Sequence, residues 1–139
     1  MTAYLLDTSV VLRHARSDAV ADAVLHYGAQ GPLFRCALTE LETLRATASG
    51  HFSLAQALLR SSYPELPVTT DVLDRAREVQ GLLAANSQHQ GVKVSDLVVA
   101  ACAELNDGAT VLHYEADYDA IASVTGQGVE WVVPRGTAD

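Results

Sequence analysis

The chain reads as an α/β domain built on a mostly parallel sheet, and three observations predict this. Short apolar runs of strand length, AYLL (3–6), LFRC (33–36), ATVLH (109–113) and EWVV (130–133), are spread along the whole chain. Longer helix-forming segments separate them, so strands alternate with helices instead of meeting through hairpins. The length of 139 residues, with 49% apolar and 19% charged content, suits one core without disulfides or a structural metal.

Each element has a local reason. Residues 3–6 form a buried strand, and Thr8 or Ser9 is placed to cap a helix over 10–16. A second helix is expected over 18–29, closed by Gly31-Pro32 before the strand 33–36. ALTELETLRATA (37–48) is rich in helix formers, with Leu38, Leu41 and Leu44 on one side and Gly50 beyond its end. A helix over 52–61 leads to a loop bracketed by Pro64 and Pro67. Residues 71–86 are amphipathic, with Val72, Ala76, Val79 and Leu83 as the stripe and Asp71 near the N-terminus. After the polar loop SQHQGVKV, the segment SDLVVAACAEL (95–105) is apolar nearly all round, which marks a buried helix. Asn106, Asp107 and Gly108 stop it. A strand (109–113), a short helix (116–123) and a last strand (130–133) complete the order β, helices, β, helices, β, helix, β, helix, β. No repeat, low-complexity tract or linker divides the chain, so one domain over 1–139 is expected.

Composition excludes several classes. No apolar run approaches the ~18 residues of a membrane span, and no basic segment followed by an apolar one opens the chain. Cys36 and Cys102 sit in unrelated apolar contexts and fit no zinc spacing, which points to reduced core thiols and a cytoplasmic protein. A net charge of -8 argues against a general nucleic-acid binder. It argues less against an enzyme that reaches phosphate through cations, so the placement of the acids matters more than their sum.

That placement is distinctive. Asp7 ends the first strand, and in parallel sheets ligands bind beyond the carboxyl ends of the strands. Asp96 opens the buried helix, where its apolar neighbours desolvate it. Glu115 and Asp117 follow the strand that ends at His113, and Glu40 and Glu42 share one helix. If these converge, like charges repel and raise one another's pKa. Only cations settle such a cluster at neutral pH, and oxygen-only ligands suit Mg²⁺ or Mn²⁺.

In order and spacing, YLLDTSVVLR, LETLRATA, VSDLVVAACAE and VLHYEADYDAIA resemble the PIN domain family, most closely its VapC-type toxins, over essentially the whole chain. The resemblance implies a three-layer α/β/α domain and a Mg²⁺- or Mn²⁺-dependent endoribonuclease. It also implies an RNA substrate, a cognate antitoxin that holds the enzyme inactive, and a homodimer. Carried over by position, Asp7, Asp96 and Asp117 match the first, third and fourth acids. Glu42 matches the second better than Glu40, although helical phase alone leaves both open. Family members carry His-x-Asp-x-Asp where this chain has His113-Tyr114-Glu115-Ala116-Asp117, so Asp117 ranks above Glu115 as a ligand. In the implied mechanism Asp7, Glu42, Asp96 and Asp117, with Glu115 as a further candidate, hold one or two ions. Thr8 or Ser9 orients a water or a ligand carboxylate. Arg13, Arg16 and Lys93 are candidates for RNA phosphates.

Plainer readings stand beside these. Asp7 could merely open a turn, Asp96 could be only a favourable first-turn acid, and Arg13 and Arg16 could be the solvent side of a helix. Glu40 is expected on the solvated surface, His113 as a satisfied structural histidine, Asp119 at the start of the last helix, and Tyr118 and Trp131 in the core or an interface. A haloacid-dehalogenase-like phosphatase needs a second Asp at position 9, where Ser9 stands, and a receiver domain needs an acid pair before Asp7. A catalytically inactive PIN-like partner-binding module is the non-enzymatic alternative.

Overall fold

The computed structural model describes residues 1–139. Four strands form, β1 (Tyr4–Leu6), β2 (Leu33–Phe34), β3 (Thr110–His113) and β4 (Val129–Trp131), in one sheet of order β2-β1-β3-β4 with every pair parallel. Seven helices cover it: α1 (Thr8–His14), α2 (Asp18–Gln30), α3 (Ala37–Arg45), α4 (Phe52–Ser62), α5 (Thr70–Ala85), α6 (Val94–Leu105) and α7 (Asp117–Thr125). Single 3₁₀ turns lie at Ser49–His51 and His89–Gly91.

Side chains alternate across β1, and the two faces build two cores. Leu5 joins Val111, Ile121 and the buried faces of α5 and α6, while Tyr4 and Leu6 join Val10, Val20, Val24 and Leu112 under α1 and α2. The result is the three-layer α/β/α arrangement. The stripe Val72, Ala76, Val79 and Leu83 is buried as expected, and α6 is buried from Asp96 to Ala103.

Several local expectations are corrected. Four strands form, one fewer than the alternation suggested. Around Pro64 and Pro67 the chain makes only the single bridge Arg35–Glu65, because proline removes ladder donors. The helix cap after β1 is Asp7, not Thr8 or Ser9, and α1 starts at Thr8. Of Leu38, Leu41 and Leu44, Leu38 packs against the core and Leu44 is buried, but Leu41 turns outward at 63% exposed. Instead α3 buries Thr39, Glu40, Thr43 and Leu44. Thr39 Oγ1 donates to the Leu6 carbonyl at 2.9 Å, which draws this polar edge onto the end of β1. Cys36 and Cys102, read as unrelated, are free thiols in one core cluster.

Between α2 and β2, Gly31 fills a place no other residue could take. Its backbone is extended, but an added Cβ would stand 1.7 Å from the Thr2 carbonyl oxygen. That close approach lets Tyr4 N–H reach the Pro32 carbonyl at 2.9 Å and fixes the start of β1.

The connections define where a site can form. From β1 the chain crosses to β2 at one edge, and from β3 it crosses to β4 at the other. The crevice between the carboxyl ends of β1 and β3 is therefore the switch point where α/β sheets bind ligands. Asp7 lies there, its N–H donating to the Leu112 carbonyl at 3.0 Å.

Candidate active site

Asp7 keeps extended backbone angles, so it continues the alternation of β1 and points to the same side as Leu5. That side holds the first turns of α6 and α7, which deliver Asp96 and Tyr118. Asp7 is 3% exposed and its carboxylate is fixed from both oxygens. Oδ2 accepts the Ser9 N–H at 3.0 Å and the Ser9 hydroxyl at 2.6 Å, and Oδ1 accepts the Tyr118 hydroxyl at 2.6 Å. Ser9 Oγ in turn accepts the Tyr114 N–H at 2.9 Å, which ties α1 to the segment after β3.

Asp96 is 4% exposed. Its Oδ1 lies 3.3 Å from the Tyr118 hydroxyl, and its buried Oδ2 has no hydrogen-bond partner. Burial first, then the charge of Asp7 and the neighbouring Asp117, push the Asp96 carboxyl up to about 8, with Lys93 opposing. The same burial and the two carboxylates raise Tyr118 well above the usual phenol range, so its hydroxyl stays a donor.

Glu42, Lys93 and Glu115 complete a hollow of about 220 Å³ with Asp7, Thr8, Ser9, Leu12, Arg13 and Asp96. Thr8 Oγ1 donates to Glu42 at 3.0 Å, and Lys93 Nζ donates to Glu115 at 2.7 Å. Asp117 Oδ2 accepts the Lys93 N–H at 2.9 Å, beside the hollow rather than in its lining. A second hollow shares Thr8, Leu12 and Glu42 and extends to Arg45. The two hollows adjoin through these three residues.

Two other expected residues have different settings. Glu40 is not on the solvated surface. It is buried, its carboxylate bound by both arms of Arg60 at 2.9 and 3.1 Å and lying 3.6 Å from buried Arg35. The Arg60 guanidinium holds its pKa below the usual range. Arg16 lines a separate polar hollow with residues 136–139. Arg13 does face the acids, but its guanidinium is held by the Ser9 and Ala138 carbonyls, each at 3.0 Å, and stacks 4.5 Å over Tyr114.

His113 is only half satisfied. Nδ1 accepts the Glu115 N–H at 3.1 Å, so the neutral ring carries its proton on Nε2, which is buried without a partner. Burial lowers its pKa to about 4. Sequence reasoning missed Tyr118, whose ring packs 4.8 Å from His113 and whose hydroxyl joins two acids. It also missed Arg45. The only available signal for Tyr118 was a hydroxylated aromatic one residue after a candidate acid.

The donors fit a hard divalent ion in an open site. No three His, Cys, Asp or Glu side chains close round a single point. An ion held by Asp7 and Asp96 would therefore need water or phosphate oxygens to complete its coordination, a ligand set that Mg²⁺ accepts. The orphaned Asp96 Oδ2, buried beside the Asp7 carboxylate, is free to take a cation in place of the proton that its surroundings favour.

Known proteins resemble this chain in sequence and in fold. The family model described as PIN domain matches residues 4–124. Ribonuclease VapC51 of Mycobacterium tuberculosis (strain ATCC 25618 / H37Rv) is 41% identical over 136 residues, covering 98% of this chain and 97% of that protein. Ribonuclease VapC18 of the same strain is 38% identical over 138 residues, covering 96% and 98%. Among solved structures, VapBC2 from Rickettsia felis bound to a promoter DNA fragment superposes with a TM-score of 0.75 at 12% identity, covering 94% of this chain and 99% of that one. VapBC-1 from nontypeable Haemophilus influenzae gives 0.73 at 18% identity, covering 94% and 98%. At those identities the structural likeness speaks for the fold alone.

Proposed function

The chain belongs to the PIN domain family, and from that membership and the acidic hollow we propose that it is a metal-dependent endoribonuclease, the toxin of a toxin–antitoxin pair. The observation that carries the reading is the Asp7–Asp96 pair at the sheet's switch point, with one buried carboxylate oxygen left free. The curated relatives are named ribonucleases, and the solved relatives are VapBC assemblies, which supports an RNA substrate and an antitoxin partner. A homodimer is part of the same proposal.

In this reading Asp7 and Asp96 hold the ion, and Glu42, Glu115 and Asp117 act directly or through water. Mg²⁺ or Mn²⁺ bound there would supply positive charge for a phosphodiester and make a water acidic enough to attack at neutral pH. Ser9 fixes Asp7, and Thr8 fixes Glu42, so the acids keep their orientation as substrate enters. Lys93 and Arg13 present positive charge at the hollow for the phosphate on either side of the scissile bond. Arg45, which forms no ion pair, reaches the adjoining part of the cleft and suits a further phosphate. Arg16 is the weakest candidate, because it borders a different hollow.

The test is cleavage of RNA by purified protein with Mn²⁺, with EDTA, and with EDTA followed by excess Mn²⁺. Fragments should form, vanish and return, and Asp7→Asn should yield none. Wild-type cleavage rates in Asp7→Asn would overturn the assignment. Stabilisation by Mn²⁺ without any cleavage would favour the partner-binding module instead.

A further inference from the structure

We propose that Tyr118 is a positioning residue of this site: its hydroxyl holds the Asp7 and Asp96 carboxylates as a pair, and so sets the affinity for the divalent ion. The inference rests on the reading of the hollow as a metal site and adds a residue that no acidic motif contains.

The geometry is specific. Tyr118 is fully buried, and it comes from the first turn of α7, while the two acids come from the end of β1 and the first turn of α6. A phenol has one proton to give. The shorter contact, 2.6 Å, gives it to Asp7 Oδ1, and the 3.3 Å contact makes Asp96 Oδ1 the longer arm of the fork. With Ser9 holding Asp7 Oδ2, three donors leave the Asp7 carboxylate no freedom to rotate. Asp96 is held at one oxygen, and its other oxygen stays unpartnered. The hydroxyl thus aligns one oxygen of each acid and leaves Asp96 Oδ2 for the ion.

The alternative is that Tyr118 is a core aromatic whose hydroxyl is incidental. Burying a hydroxyl costs free energy that a phenylalanine at the same place would avoid. The ring's packing on His113 at 4.8 Å does not need the oxygen. The only polar groups the hydroxyl meets are the two carboxylates, so its place in the core is explained by them. Partners that orient metal ligands commonly change metal affinity 10–100-fold.

The experiment is direct Mn²⁺ binding, by calorimetry or by the EPR signal of free Mn²⁺, to wild type and Tyr118→Phe without RNA. The ring remains, so the fold is retained. The dissociation constant is expected to rise about tenfold. In cleavage assays the deficit should concentrate at low Mn²⁺ and shrink towards saturation, a split that a packing role would not produce. As a second measurement, wild type carrying ¹³Cζ-tyrosine is titrated with Mg²⁺, and the Tyr118 signal should shift and saturate with binding. An unchanged Mn²⁺ constant in Tyr118→Phe, or a Tyr118 signal that Mg²⁺ does not move, would overturn the proposal. If wild type itself binds no Mn²⁺, the metal-site reading falls first, and the two failures are thereby distinguished.

Discussion

Asp96→Asn should make the metal-free protein more stable while abolishing cleavage. In the folded chain the Asp96 carboxyl is held up at about 8, against 3.8 ordinarily, chiefly by burial and by the charge of Asp7. Because the folded pKa is raised, the folded state keeps a proton that the unfolded state has released. Stability is therefore fully present below about pH 4 and is lost as pH rises towards about 8, beyond which both states are ionised. Each pKa unit is worth about 1.4 kcal/mol, so the whole displacement sets a ceiling of ~6 kcal/mol. The carboxyl borders an open polar hollow, where the effective dielectric is well above that of a dry interior, and this brings the net effect to on the order of 2 kcal/mol. An asparagine has the same shape and no charge to lose. At about pH 8 in EDTA its melting temperature should exceed that of wild type by about 6 °C. At about pH 4 the two should melt together. Mn²⁺ at a hundred times its dissociation constant should then raise wild type by ~2.7 kcal/mol and leave the variant unmoved, which reverses the order. The assay is thermal unfolding across pH, with and without the ion. A gap that is equal at both pH values, or a variant no more stable at the upper one, would refute the argument that Asp96 is a strained acid awaiting a cation.

Glu40→Gln and Glu42→Gln should part cleanly. Glu40→Gln weakens the buried partnership with Arg35 and should cost about 2 kcal/mol in urea unfolding while RNA cleavage persists. Glu42→Gln should unfold like wild type and lose cleavage; the opposite pattern would exchange their roles. His113 is held neutral, its folded pKa lowered to about 4 by burial. Its contribution is present above about pH 6.5 and is lost as pH falls towards about 4, because the unfolded state takes up the proton first. In metal-free wild type this erosion from the acid side meets that of Asp96 from the alkaline side. NMR titration of the His113 ring should find it neutral at about pH 6, and a charged ring there would refute the assignment.

What was legible in the sequence followed from periodicity. The run AYLL ending in Asp7, and the helix that is apolar all round after Asp96, put two acids where a parallel sheet binds ligands, and both lie there. The stripe of α5 was readable because Val72, Ala76, Val79 and Leu83 all pack into one apolar cluster. The face of α3 was not, because its burial is decided by polar contacts made far along the chain. Thr39 answers to the Leu6 carbonyl, and Glu40 answers to Arg60 and Arg35. Leucine spacing alone therefore placed Leu38 and Leu44 correctly and Leu41 on the wrong side. Tyr118 was hidden for a similar reason. Its spacing on α7 is that of a core residue, and only the meeting of three elements shows where the hydroxyl goes.

The same placement explains how a chain of net charge -8 could act on a polyanion. At long range such a protein repels RNA rather than steering it. Within the cleft, however, the balance is local. Lys93 sits on Glu115, Arg13 is fixed by two carbonyls and the Tyr114 ring, and Arg45 marks the far end. The Asp7–Asp96 pair is also the point where a divalent ion would invert the charge that an approaching phosphate meets. Such an ion would do two tasks with one set of ligands: it would relieve the repulsion between the acids and provide the attraction that the surface lacks. Affinity for the substrate in this arrangement would be coupled to occupancy of the metal site, so the rigidity that Ser9 and Tyr118 give the acids would matter to substrate capture as well as to chemistry.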